Sequence, residues 1–206
     1  MKKLRYILLS VIIAFSLSAC SDSYKAESEN LNVVASFYPI YIIAQNVIGD
    51  AEGISLENMA QPQTGCLHDY QLSSGDMRKL NQADLFIVNG GGMESFLDNA
   101  LELFPDLNII DTSEGVTKLD EPEHEHSEGH SHESNPHFWM YPENAAVQAD
   151  NICKALSAIC PDNAEVFKKN TASFIERINS LECPDFGHKK AVVFNEAYEY
   201  LELTYG

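Results

Sequence analysis

From residue 32 onward the chain is laid out in short apolar blocks whose period switches between two and about 3.6, separated by Gly, Pro and polar clusters. Residues 32–36 (Asn-Val-Val-Ala-Ser) make a β-rich run. Pro39 suits a first helical turn, and the apolar-rich segment behind it ends at Gly49, a helix stop. Residues 53–59 read as a second strand, and a loop over 61–70 follows. Ser73 and Asp76 have the spacing of a capping box and predict a helix to about residue 82. Residues 84–89 are a buried-type strand halted by Gly90-Gly91-Gly92. Residues 94–104 read as a helix, and 107–110 as a fourth strand. Farther on, 142–158 and 163–181 read as two helices broken at Pro161. Residues 191–194 start another strand, and 195–205 a strand end turning into a helix.

Strands alternating with helices predict an α/β fold, with a parallel sheet covered by helices on both faces. Ligands of such sheets bind in the crevice beyond the carboxyl ends of the strands. His68, in the loop after the second strand, falls at that edge.

The N-terminus changes the compartment. Met1-Lys2-Lys3-Leu4-Arg5 is a basic start, and the apolar run from Tyr6 to Leu17 is shorter than the roughly 20 residues of a membrane span. Together they read as a secretory signal over residues 1–19. Leu17-Ser18-Ala19-Cys20 resembles the lipobox of bacterial lipoproteins, in which the Cys thiol is acylated. The polar stretch to residue 31 then reads as a lipidated tether, so the expected location is the extracytoplasmic face of the cell membrane.

Charge narrows the partners. The formal net charge is −18, and loss of Lys2, Lys3 and Arg5 with the leader would take it to −21. So acidic a surface is unsuited to nucleic acid or anionic lipid and compatible with cation capture. Of the five cysteines, Cys20 belongs to the lipobox, which leaves Cys66, Cys153, Cys160 and Cys183. Cys153 and Cys160 are two helical turns apart, too far to bridge, and no specific disulfide is expected.

Two histidines stand out, His68 in Gly65-Cys66-Leu67-His68-Asp69-Tyr70 and His137 in Asn135-Pro136-His137-Phe138-Trp139. Neutral imidazole is the commonest transition-metal ligand, although a single loop histidine is usually a surface residue. Residues 121–134 are poor in apolar side chains and hold His124, His126, His130 and His132 among acidic, Ser and Gly residues. That composition predicts a disordered loop able to bind metal weakly.

Five motifs occur in order: Ser36-Phe37-Tyr38-Pro39, His68-Asp69-Tyr70, Ala83-Asp84-Leu85-Phe86, Asn89-Gly90-Gly91-Gly92-Met93-Glu94 and Asn135-Pro136-His137. Across essentially the whole chain from Val33 they resemble the ZnuA/TroA-like metal-binding lipoproteins of ABC importers for zinc and manganese. The resemblance implies two α/β lobes joined by a long helix, with the metal between them. The implied organisation is a lobe over 32–141, connecting helices over 142–183 and the start of a second, truncated lobe over 184–206. It also implies His68 and His137 as first-lobe ligands, a collector role for the histidine tract, Zn2+ (alternatively Mn2+) as the captured ion, a membrane permease as partner and a monomeric state.

Two departures accompany the resemblance. Where the family carries His-(Asp/Glu)-Ala-(Phe/Tyr) with its third ligand, this chain reads Asn195-Glu196-Ala197-Tyr198. An amide oxygen is a poorer zinc ligand than imidazole or carboxylate, so Asn195, Glu196 or a tract histidine stand as alternatives for the third donor, with Cys66 able to approach the metal. The usual acidic fourth ligand lies beyond Gly206 in the family pattern. An enzyme reading would make His68 and His137 the zinc ligands of a hydrolase with Glu196 as base. No His-Glu-x-x-His, serine elbow or phosphate loop supports it, and a non-enzyme is expected. A surface adhesin retaining the same fold is the remaining alternative.

Overall fold

The computed structural model describes residues 30–60, 67, 70–119, 134–182 and 196–205. Four parallel strands form its sheet, β1 (Leu31–Ala35), β2 (Ile54–Asn58), β3 (Leu85–Val88) and β4 (Asn108–Asp111), in the order β2-β1-β3-β4. The register pairs Val33 with Leu56 and with Leu85, and Ile87 with Ile110. From β1 the chain crosses outward to β2, and from β3 outward in the opposite direction to β4. The crevice between the carboxyl ends of β1 and β3 is therefore the topological switch point, where sheets of this kind bind ligands.

Period-two alternation sorts the central strands onto two cores. Val33, Ala35, Leu85 and Ile87 face one side, where they meet Ile40, Ile43 and Val47 of α1 (Tyr38–Ile48), Ala149, Ile152 and Leu156 of α4 (Pro142–Ile159) and Phe167 of α5 (Ala164–Asn179). Val34, Phe86 and Val88 face the other side and pack with Met59, Leu97 and Leu80, the last from α2 (Ser74–Gln82). Every residue of β3 is buried, which is why Leu-Phe-Ile-Val reads as an unbroken apolar run. Helices on both faces of a parallel sheet agree with the expected fold class.

Local chemistry sets the ends of the elements. Pro39 lies in the first turn of α1, and Gly49 ends it at φ 57°. Asn170 of α5 donates to the last α1 carbonyls, Val47 O and Ile48 O, at 3.2 Å each, so one side chain both caps α1 and docks α5 on it. The expected capping box is present: the Asp76 amide donates to Ser73 Oγ at 3.2 Å, and the Ser73 amide donates to Asp76 Oδ2 at 2.8 Å.

The expected helix over 94–104 is broken. A 3-10 turn (Ser95–Leu97) leads into the four-residue α3 (Asp98–Leu101). Gly90, Gly91 and Gly92 all have positive φ, and Glu94 turns its carboxylate back toward them instead of forward into a helix. The expected strand over 191–194 lies outside the described residues. A 3-10 turn (Glu196–Tyr198) and α6 (Glu199–Tyr205) follow it, and Tyr200 packs with Val116 and Phe138. Cys153 and Cys160 are free thiols, and Cys20, Cys66 and Cys183 lie outside the described residues. Among the described residues no helix is long and apolar enough to cross a membrane.

Candidate functional site

Beyond the carboxyl ends of β1 and β3 the interior turns polar. Glu94, 8% exposed, accepts from Ser36 Oγ at 2.7 Å and the Asn89 amide at 2.7 Å on Oε1, and from the Gly90 amide at 3.1 Å on Oε2. Burial pushes its pKa up to about 7, against the pull of those three donors, with the Asp111 charge adding to the rise. The carboxylate thereby ties the residue after β1 to the glycine turn after β3. Asn89, fully buried, continues the network: Nδ2 donates to Pro136 O at 2.8 Å, and Oδ1 accepts from Gln148 Nε2 at 3.0 Å. Gln148 Nε2 also donates to Thr112 Oγ1 at 2.9 Å. Loops after β1, β3 and β4 and helix α4 thus converge on Pro136, next to His137.

His137 is 4% exposed at the head of the 3-10 turn Phe138–Met140. Asn135 Oδ1 accepts from its backbone amide at 3.1 Å and lies 2.8 Å from Nδ1. An amide oxygen only accepts, so Nδ1 carries the ring hydrogen and Nε2 the lone pair. A histidine ligand is held in the same way, its other ring nitrogen donating to a neighbouring acceptor. Trp139 packs against the His137 ring at 5.3 Å and against Phe37 at 4.8 Å, edge-on. A side chain at Gly91 would run into the Phe138 ring, which closes the floor beneath the loop.

Two members of the expected site set are described, His137 and, for its backbone, Glu196. His68, Asn195, the tract His124, His126, His130 and His132, and Cys20 lie outside the described residues, as does Cys66. Glu196 opens the 3-10 turn Glu196–Tyr198. The neighbours of His68 are described. The Tyr70 amide donates to Leu67 O at 2.8 Å, the Tyr70 hydroxyl donates to Asp76 Oδ2 at 2.8 Å, and its ring meets Phe96 edge-on at 5.3 Å. Tyr70 and Leu67 belong to the same apolar cluster as Phe37 and Trp139. The described residues flanking the histidine tract are paired: the Asn135 amide donates to Leu119 O at 2.9 Å. Among the described residues no group of three or more His, Cys, Asp or Glu is arranged to hold a metal ion.

Sequence reasoning assigned no role to Glu94, Asn89, Asn135 or Gln148. The available signal was an amide directly after a fully apolar strand at Asn89 and one just before the run 137–139 at Asn135, where polar side chains are buried only when paired; Glu94 and Gln148 carried no local signal.

The family of zinc-uptake complex component A, periplasmic (ZnuA), matches residues 33–206. The zinc-binding lipoprotein AdcA of Streptococcus pneumoniae is 32% identical over 221 residues, an alignment covering 100% of this chain and 43% of AdcA. The Zn(II)-bound crystal structure of AdcA superposes with a TM-score of 0.68 at 30% identity, over 86% of this chain and 38% of that one. The iron-binding protein YfeA of Yersinia pestis is 32% identical over 217 residues, 98% of this chain and 67% of YfeA. A manganese-bound variant of a periplasmic metal-binding protein from Candidatus Liberibacter asiaticus superposes at TM-score 0.58 and 30% identity, over 71% of this chain and 52% of that one. This chain spans less than half the length of AdcA. With its parallel sheet, its switch-point histidine and a match from residue 33 to residue 206, the chain belongs to the ZnuA family of periplasmic zinc-uptake components.

Proposed function

We propose that this protein is the extracytoplasmic substrate-binding subunit of an ABC importer, capturing Zn2+ and handing it to a membrane permease. The observation that carries the reading is the His137 imidazole, buried at the switch point with its hydrogen held on Nδ1 by Asn135. His68 is its expected partner, since Leu67 and Tyr70 on either side of it share the apolar cluster that holds Trp139. Zinc is preferred to manganese as cargo because imidazole donors suit zinc and oxygen-rich octahedral sets suit manganese. Asn195 or Glu196 completes the shell, or a histidine from residues 121–134 does so, and the tract acts as a collector beside the site.

The domain plan stays as the sequence suggests: signal over 1–19, tether from the lipidated Cys20 to 31, metal lobe over 32–141, connecting helices over 142–183 and second-lobe residues over 184–206. The protein binds and releases its ion without turnover, as a monomer anchored by lipid. Calorimetric titration with Zn2+ and Mn2+ tests this. His68→Ala and His137→Ala should each weaken zinc binding about 100-fold or more, because a tetrahedral ion stripped of a protein donor becomes labile. Wild-type zinc affinity in both variants would overturn the assignment.

A further inference from the structure

The acceptor behind His137 is itself held in place. Asn135 is fully buried, and its Nδ2 donates to Glu199 Oε2 at 3.0 Å while Oδ1 faces His137 Nδ1 at 2.8 Å. The hydroxyl of Tyr200, the next residue of α6, donates to Asn135 O at 2.9 Å and accepts from the Leu119 amide at 3.1 Å. An amide side chain has a donor end and an acceptor end of nearly the same shape, and only its partners decide which way it points. Here two partners agree: the His137 backbone amide, which only donates, holds the oxygen end at 3.1 Å, and the Glu199 carboxylate takes the NH2 end at 3.0 Å. The Glu199 Oε2 oxygen accepts from the NH2 end, which leaves the amide oxygen for the imidazole.

We propose that Glu199 is a positioning residue for metal capture, acting through Asn135 to fix the tautomer and aim of His137, so that helix α6 tunes affinity without ligating the ion. This rests on His137 being a ligand, as proposed above. If loss of the Glu199 acceptor let the amide turn over, against the hold of the His137 backbone amide on its oxygen, its NH2 group would face Nδ1, which would then have to accept. The ring hydrogen would move to Nε2, the nitrogen that the present arrangement keeps basic. With Asn135 fully buried and His137 nearly so, water is poorly placed to replace the lost partner. Glu199 lies four residues after Asn195 and three after Glu196. The segment expected to bring the third donor thus also carries the group that readies His137.

The test reads the ring directly. In metal-free protein labelled with 15N-histidine, the wild-type His137 resonances should show hydrogen on Nδ1. Glu199→Leu should move the ring toward the Nε2–H tautomer and weaken zinc binding about tenfold, the usual scale of losing an outer partner of a metal histidine. Glu199→Gln keeps a carbonyl oxygen for the Asn135 NH2 and should restore most of both. Tyr200→Phe removes a bond from the same helix to the Asn135 backbone, leaves the amide orientation alone and should keep the wild-type tautomer. A wild-type ring protonated on Nε2 overturns the proposal, whatever happens to the variants. So does a Glu199→Leu protein unchanged in tautomer and affinity, or a Tyr200→Phe protein with the same tautomer switch. If His137→Ala binds zinc as tightly as wild type, it is the ligand assignment that fails, and the tautomer readings are unaffected by that result.

Discussion

Phe86 and Asn89 lie three residues apart at the end of the same strand, and both are closed off from water. Phe86 sits among Val34, Met59, Leu80 and Leu97, where any apolar group of similar volume serves and the driving force is area removed from water. Asn89 has no such latitude. Its amide donates to Pro136 O and accepts from Gln148, and a replacement that misses either bond strands a buried partner. The sheet faces are held by volume, whereas the carboxyl edge is held by pairing. A binding edge has reason to be built in the second way, because paired polar groups fix a loop in one position while apolar contacts tolerate small slides.

Single substitutions separate the two. Phe86→Ala should cost about 4 kcal/mol in denaturant unfolding, the transfer and cavity terms of a fully buried ring. The folded fraction should bind zinc as before, since the lost contacts face away from His137. Asn89→Leu should cost about 3 kcal/mol, since it leaves Pro136 O and a Gln148 N–H without their partner. Unlike the first, it should also weaken zinc binding, because Asn89 anchors Pro136, the residue before the imidazole. Equal effects of the two variants on affinity would remove the distinction between the regions.

Acidity gives a second handle on the polar edge. Glu94 has a folded-state pKa of about 7 against an ordinary value of 4.5, raised by burial, so the folded protein keeps this proton to higher pH than the unfolded chain does. The stability tied to that proton is complete below the unfolded value and is lost as pH rises through the folded one. Between pH 5 and pH 7 this amounts to about 2 kcal/mol. Glu94→Gln should flatten that part of the profile while lowering stability at acid pH, because its NH2 group faces an amide donor. A slope unchanged in the variant would assign the pH dependence to another group.

These two regions also divide what could be read from sequence. The strands and helices up to residue 89 were legible because alternation and capping are local: Val33, Val34 and Ala35 alternate by face, and Ser73 and Asp76 lie within one turn. His137 was singled out because a family motif carries it. The network behind it was not, for Asn89 meets Gln148 across 59 residues and Asn135 meets Glu199 across 64. Pairings at such separations leave no periodic trace. The helix expected over 94–104 failed for the same reason: Glu94 looks like a good first-turn residue until Ser36, 58 positions earlier, captures its carboxylate.

The smallest effect should come from the capping box of α2, which belongs to neither region. Ser73 Oγ accepts from the Asp76 amide and donates to Asp76 Oδ2 at 2.7 Å, while the Ser73 amide donates to the same carboxylate oxygen. Ser73→Ala removes the hydroxyl and leaves one helix-end amide without its partner, which costs about 1 kcal/mol. Asp76 keeps its bonds from the Ser73 amide and the Tyr70 hydroxyl. Tyr70 therefore keeps its bond to α2, and zinc affinity should not change. Asp76→Ala is the sharper companion, since it keeps the backbone amide bond to Ser73 Oγ but removes the carboxylate half of the box and the Tyr70 anchor together. Greater loss of zinc affinity in Asp76→Ala than in Ser73→Ala, measured at equal folded fraction, would show that the cap reaches the site only through Tyr70. Equal loss in both would mean that the start of α2 itself, and not the tyrosine, positions the loop.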